Sequence, residues 1–208
     1  MSPIKIAVLI SGGGTNLQAI IDAIEDKVIN GEIKAVISNK QNAYGLERAR
    51  LNNIDACFID RNSFDNNKEY NNEILRILEN KDIDLVVLAG YLQILSTKLV
   101  SKYQNKIINI HPSLIPSFCG KGFYGENVHK SVLDYGVKVT GATVHFVDEG
   151  TDTGPIILQE VVKVEDDDTV ESLQKKVLSV EHKVLVEAIK LFCENELKVE
   201  GRRVLINR

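Results

Sequence analysis

Five short apolar runs, Ile4 to Ile10, Ile33 to Ile37, Ala56 to Ile59, Ile83 to Ala89 and Ile107 to Ile110, alternate with segments whose apolar residues recur at helical spacing. That alternation is a βαβ rhythm. The first and fourth runs are nearly uninterrupted apolar stretches, as strands covered on both faces require. The predicted fold class is therefore α/β, a doubly wound, mostly parallel sheet with helices on both faces. A chain of 208 residues with 44% hydrophobic content can bury one substantial core, and nothing in its composition forces a division, so a single domain over 1–208 is expected. Past a helix ending near Gly136, Val137 to Val147 and Pro155 to Val164 read as two more strands joined by the acidic turn Asp148 to Gly154. Asp168 is the expected cap of a final helix with Glu171 in its first turn, whose buried stripe is Val170, Leu173, Val177, Val184 and Ala188.

Charge and cysteine usage narrow the function classes. A formal net charge of -4 leaves no global basic field for nucleic acid or an anionic membrane. The run Ile4 to Ile10 is far shorter than the roughly 20 residues of a membrane span and has neither a basic leader nor a cleavage site, so a cytoplasmic location is expected. Cys57, Cys119 and Cys193 form no C-x-x-C pair, and His129, His145 and His182 form no H-x-x-x-H or H-E-x-x-H motif, so neither disulfides nor a metal is predicted.

On a sheet of this type ligands bind beyond the carboxyl ends of the strands. The first strand runs into Ser11-Gly12-Gly13-Gly14-Thr15-Asn16 and then a helix. Free backbone N–H groups and the positive helix end would suit a phosphate there, with Thr15 and Asn16 as added donors. A tight strand-to-helix turn capped by Thr15 is the plainer reading. The loop is neither G-x-G-x-x-G, since Leu17 stands where the third glycine would be, nor a Lys-bearing P-loop.

The strongest local signal is Asn109-Ile110-His111-Pro112-Ser113-Leu114-Ile115-Pro116, opening a long Pro- and Gly-containing loop. Asn109 and His111 stand two apart at a strand end, so their side chains point to one side, where a carboxamide and an imidazolium could bind one oxyanion. The alternative is that Asn109 satisfies loop backbone and His111 packs between prolines. Asp152, beside Gly154-Pro155, is the carboxylate that would raise and orient His111, unless the acidic turn is simply solvated. Glu181 falls on an apolar stripe, where it would reach ligand atoms or meet a buried Lys.

Ile10-Ser11-Gly12-Gly13-Gly14-Thr15-Asn16-Leu17, Leu88-Ala89-Gly90-Tyr91, Asn109 to Pro116, and Thr143-Val144-His145-Phe146-Val147 followed by Asp152 and Gly154-Pro155-Ile156 closely resemble the folate-dependent phosphoribosylglycinamide formyltransferase family. The resemblance runs from Ile4 to about Ile189 and implies a Rossmann-like formyltransferase fold. It implies formyl transfer from 10-formyltetrahydrofolate, as co-substrate and without a metal, to the glycinamide amine of phosphoribosylglycinamide in purine (IMP) biosynthesis. Asn109, His111 and Asp152 would be catalytic. Gly14, Thr15, Asn16 and Glu181, with Leu178 to Val180 nearby, would hold the ribonucleotide. Asn67, Leu92, Gln93, Ile94, Leu95, Asn109, Asp148 and Asp152 would hold the folate.

Two departures bear on the donor: Gln93 stands where relatives often carry a basic residue, and Asn67-Lys68 only loosely matches the family's arginine for the glutamate tail. The resemblance implies small-molecule partners and allows a weak homodimer. A formyltetrahydrofolate deformylase is the runner-up, although its N-terminal regulatory domain is not read here; a tRNA formyltransferase would want a basic second domain.

Overall fold

The computed structural model describes residues 2–207. The chain forms two compact units, one reaching Ile108 and the other starting at Asn109. The first contains β1 (Ile4–Ile10), α1 (Thr15–Glu25), β2 (Gly31–Ser38), α2 (Tyr44–Leu51), β3 (Ala56–Phe58), a 3-10 turn at Arg61–Ser63, α3 (Asn67–Asn80), β4 (Leu85–Leu88) and α4 (Thr97–Lys102). Its strands lie in the order β3-β2-β1-β4, all parallel. Residues Ile6 to Ile10 are consecutively buried, so both faces of β1 are covered, as the uninterrupted apolar run requires. Burying one such Ile or Leu contributes roughly 1.5–3 kcal/mol, and the central strands are where most of that gain is concentrated.

β5 (Ile107–His111) leads into the second unit, which continues with α5 (Glu126–Tyr135), β6 (Val139–Phe146), β7 (Ile156–Lys163), α6 (Val170–Cys193), β8 (Leu197–Glu200) and β9 (Arg203–Ile206). Its strand order is β5-β6-β7-β9-β8. β6 and β7 are antiparallel, β7 and β9 parallel, and β8 and β9 form an antiparallel hairpin. The acidic turn between β6 and β7 is held at its base by Phe146 N–H donating to the Pro155 carbonyl at 2.9 Å. A Cβ on Gly154 would stand 1.8 Å from the Phe146 carbonyl oxygen, so only glycine lets the returning chain come this close.

Sequence and structure differ at the start of α6 and at the C-terminal hairpin. The cap of α6 is Thr169, whose side chain accepts Ser172 N–H while Ser172 returns the bond; Asp168, one residue earlier, instead accepts from Ser172 Oγ, Glu165 N and Lys176 Nζ. A hydroxyl that fits the reciprocal box wins over the stronger local charge. The hairpin of β8 and β9 was not expected. Its signal is the Glu200-Gly201 turn, with Gly201 at φ 61, between Leu197 and Val199 on one side and Val204 and Ile206 on the other.

α5 turns Val128, His129 and Val132 inward. Burial, and secondarily the charge of His111, push the His129 imidazole down to about 4. A folded-state value below the unfolded value near 6.5 means the unfolded chain takes up the proton first. His129 therefore contributes stability that is complete above about pH 6.5 and is lost as pH falls toward 4. In urea unfolding at pH 7 and pH 5, His129→Gln is expected to lose less stability between the two than the parent does. Identical losses would mean that His129 is not a source of the acid sensitivity.

Candidate active site

The carboxyl end of β5 and the turn after β6 bring Asn109, His111 and Asp152 together in the second unit. His111 is 4% exposed, and its Nδ1 stands 3.6 Å from Asp152 Oδ2. Asn109 Nδ2 stands 3.4 Å from Asp152 Oδ1. The two-residue spacing of Asn109 and His111 on an extended strand thus sends both side chains to one carboxylate. Asp152 adopts φ 57, a left-handed conformation that Asp and Asn tolerate better than most residues, and Gly120 N–H donates to its Oδ2 at 2.9 Å.

His145, which pattern reasoning did not place in the site, completes the cluster. It lies two residues beyond Thr143 on β6, and that i, i+2 spacing was the signal available for it. Its Nδ1 lies 2.8 Å from the Phe146 carbonyl, which can only accept, so Nδ1 carries the hydrogen and neutral Nε2 has a free lone pair. Asn109 Nδ2 donates to that Nε2 at 3.0 Å. Two acceptors, the imidazole and the Asp152 carboxylate, therefore fix which way the carboxamide faces.

The same logic assigns the His111 tautomer. Its Nε2 lies 2.9 Å from the Phe118 carbonyl and must donate, leaving Nδ1 as the atom that gains or loses a proton beside Asp152. The long loop after β5 is built to present that carbonyl. Ser113 Oγ donates to the Ser117 and Phe118 carbonyls, while Thr143 Oγ1 donates to the Ser113 carbonyl and accepts Ile115 N–H.

Burial holds the His111 imidazole below its ordinary value; the Asp152 charge and the Phe118 carbonyl act in the opposite sense but do not overcome it. The Asp152 carboxylate acts on His111 in the expected sense, raising it, but does not outweigh desolvation. For Asp152 itself, burial would raise the carboxyl. The neighbouring His145 when it carries a proton on Nε2, the charge of His111 and the Gly120 N–H hold it below the usual carboxylate value.

In the first unit the Gly-rich loop sits between β1 and α1. Gly14 adopts φ 71 and is the N-cap of α1, so the reading of Thr15 as cap is replaced by Thr15 as the first helical residue. A Cβ on Gly14 would meet the Gly45 Cα at 2.7 Å, so its lack of a side chain serves helix packing as well as any ligand. Asn16 is buried at the start of α1.

Leu92 and Ile94 are exposed, and backbone contacts shape their segment. Leu92 N–H donates to Ser11 Oγ at 2.9 Å, Asn67 Nδ2 donates to the Ile94 carbonyl at 3.2 Å, and Ser96 N–H donates to Asn71 Oδ1 at 2.8 Å. Asn67 thus braces the 92–95 segment. Gln93 and Leu95 are partly buried in the same segment. Asp148 organises the turn after β6, accepting Gly150 N–H and Thr153 Oγ1. Glu181 is buried on the inner face of α6. Among the described residues no group of three or more His, Cys, Asp or Glu could hold a metal ion, and no helix is long and apolar enough to cross a membrane.

A carboxamide, an imidazole and a carboxylate thus converge at a strand end, an arrangement able to bind an oxyanion, and residues 4–189 match the formyl transferase family. The chain belongs to that family. A crystal structure of glycinamide ribonucleotide transformylase 1 from Symbiobacterium toebii is 45% identical and superposes with a TM-score of 0.95, covering 100% of this chain and 95% of that one. A phosphoribosylglycinamide formyltransferase of Haemophilus influenzae is 41% identical over 94% of this chain and 90% of its own length. The trifunctional purine biosynthetic protein adenosine-3 of Gallus gallus is 43% identical over 94% of this chain, which spans only 19% of that protein. A formyltetrahydrofolate deformylase from Pseudomonas syringae is more distant, at 28% identity, with a TM-score of 0.90 and 66% of its chain covered.

Because Asp152 opposes desolvation at His111, removing its charge leaves burial unopposed. Asp152→Asn keeps a residue suited to positive φ, and it is expected to move the His111 titration further below 6.5, as followed by the ring proton in NMR. Coincident titrations in two folded proteins would separate Asp152 from His111.

Proposed function

We propose that this chain transfers the formyl group of 10-formyltetrahydrofolate to the glycinamide amine of phosphoribosylglycinamide, in the cytoplasm and as one catalytic domain. The observation that carries the reading is the shared Asp152 carboxylate facing the Asn109 amide and His111 Nδ1. The kinship with glycinamide ribonucleotide transformylases supports the choice of acceptor.

The neutral amine attacks the formyl carbon, the C–N bond forms and the carbonyl electrons move to oxygen. Asn109 binds that oxyanion. One of its N–H groups is committed to His145 Nε2 at 3.0 Å, but the other is only loosely held by Asp152 at 3.4 Å, long for an N–H···O bond, so the oxyanion competes for it on favourable terms. His111 Nδ1 carries the second proton toward the developing charge, and Asp152 stabilises the imidazolium while it exists. Asp152 then accepts, through water, a proton from the attacking amine. The tetrahedral species collapses and the bond to the folate nitrogen breaks, that nitrogen taking the proton that Asp152 received from the amine. No covalent enzyme intermediate is required, so neither Ser113 nor Cys119 is a nucleophile.

Gly14, Thr15, Asn16 and Glu181 are assigned to the ribonucleotide. Asn67, Leu92, Gln93, Ile94, Leu95, Asn109, Asp148 and Asp152 are assigned to the folate, the 92–95 segment acting largely through backbone. The assay that tests the reaction supplies 10-formyltetrahydrofolate with and without phosphoribosylglycinamide. Turnover only with the ribonucleotide is expected; equal turnover without it would make the chain a deformylase.

Asn109→Ala should lower kcat by about 10²- to 10³-fold with small changes in either KM, the range for loss of one oxyanion donor. Near-normal turnover in steady-state kinetics would leave Asn109 a purely structural residue.

A further inference from the structure

The Gly-rich loop is gripped from outside by α2. Gly45 N–H donates to the Gly12 carbonyl at 3.1 Å, Arg48 Nε donates to the Gly13 carbonyl at 2.9 Å, and the Gly14 carbonyl accepts Gln18 N–H at 3.0 Å. Three consecutive carbonyls are thus taken by donors of the protein. A Cβ on Gly12 or Gly13 would meet nothing within 4 Å, so the loop is open on that side. The Arg48 guanidinium is itself held in place: Nη1 donates to Gln18 Oε1 at 3.0 Å, and its carbon lies 5.0 Å from the Tyr44 ring centroid.

We propose that Arg48 is a positioning residue for the acceptor's phosphate, drawing the Gly13 carbonyl away from the bound dianion and placing a fixed positive charge behind the loop. The proposal rests on the reading of residues 11–16 as the ribonucleotide's phosphate loop. A carbonyl oxygen released from Arg48 could rotate toward the phosphate, where its partial negative charge would repel the ligand and its own N–H neighbours would lose their aim. Arginine suits the task because its planar fork serves the Gly13 carbonyl and Gln18 at once, and because its charge persists at every working pH. A brace that only joined α1 to α2 would affect both substrates equally, or neither.

Arg48→Gln is expected to raise the KM for phosphoribosylglycinamide about tenfold, the scale of one charge-assisted hydrogen bond, with kcat and the KM for the formyl donor within about twofold of the parent. Arg48→Lys, which keeps the charge and one donor, should recover most of the loss. The gap between Arg48→Gln and the parent should narrow in high salt, which screens the charge. A thermal melt of each variant shows that the fold is retained. Equal changes in both KM values, or no rescue by lysine, would overturn the proposal.

A second measurement does not depend on the reaction: amide shifts of Gly13, Gly14 and Thr15 are followed as inorganic phosphate is titrated into parent and Arg48→Gln. Weaker phosphate binding in the variant is the expected result. Equal midpoints would remove Arg48 from the phosphate site while leaving the loop's reading intact. No perturbation of the parent's loop amides would instead overturn the phosphate-loop reading itself, and this proposal with it.

Discussion

A buried carboxylate, Asp152, is the group toward which the second unit's polar interior is arranged. Its Oδ2 accepts Gly120 N–H and faces His111, while its Oδ1 faces Asn109 and His145. Each contact alone is modest, and those at 3.6 and 3.7 Å are too long for direct hydrogen bonds. The Gly120 N–H, the Asn109 amide and the His111 imidazole together make ionisation of a largely buried acid tolerable, as isolated burial would not. The antiparallel pair of β6 and β7 supplies the rigidity this needs, because the turn carrying Asp152 is closed at its base by backbone bonding and by the close approach at Gly154.

The two histidines beside that carboxylate are made unequal by backbone carbonyls. His145 gives its Nδ1 hydrogen to Phe146 and offers Nε2 to Asn109, so as a neutral ring it is a fixed acceptor. His111 gives its Nε2 hydrogen to Phe118 and keeps Nδ1 free toward Asp152. In the mechanism proposed above one ring would aim the oxyanion donor and the other would move a proton, a division set by which nitrogen meets a carbonyl rather than by residue type. Burial then keeps His111 below its ordinary titration range in the absence of substrate. In the proposed reaction, developing negative charge on the reacting oxygen acts in the direction that favours the imidazolium, which would make His111 a donor as the transition state forms.

Much of this was legible in sequence, for physical reasons that particular residues show. The uninterrupted run at Ile4 to Ile10 could only be a strand covered on both faces, and Asn109 and His111 had to share a side because a strand alternates. What escaped was non-local or depended on geometry finer than spacing. His145 belongs to the site because β6 presents it toward Asn109, 36 positions away in sequence. The sign at His111 depended on the relative size of burial and one carboxylate, which no pattern of letters contains. Gly14 was legible as part of a loop suited to phosphate, but the steric reason for a glycine there lies at Gly45 on another helix. The hairpin of β8 and β9 carried a turn signal too short to stand against a preceding helix of 24 residues.

The backbone records where the fold accepts strain for the sake of chemistry. Among the described residues seven that are not glycine have positive φ: Lys27, Asn53, Asp82, Asn105, Phe118, Asp152 and Asn195. Lys27, Asn53, Asp82 and Asn195 each directly follow the cap of α1, α2, α3 or α6, and Asn105 stands two residues past the cap of α4. There a left-handed residue is an ordinary way to end a helix and satisfy its last carbonyls. Phe118 and Asp152 follow no helix, and both face His111, one by its carbonyl on Nε2 and the other by its carboxylate toward Nδ1. A left-handed phenylalanine is costly, on the order of 1–3 kcal/mol, and the hydrogen bonds of Ser113 to the loop carbonyls hold it there. The two unusual backbone positions therefore define opposite sides of one imidazole. Relaxing either would free the ring to turn, and with it the assignment of which nitrogen carries the proton.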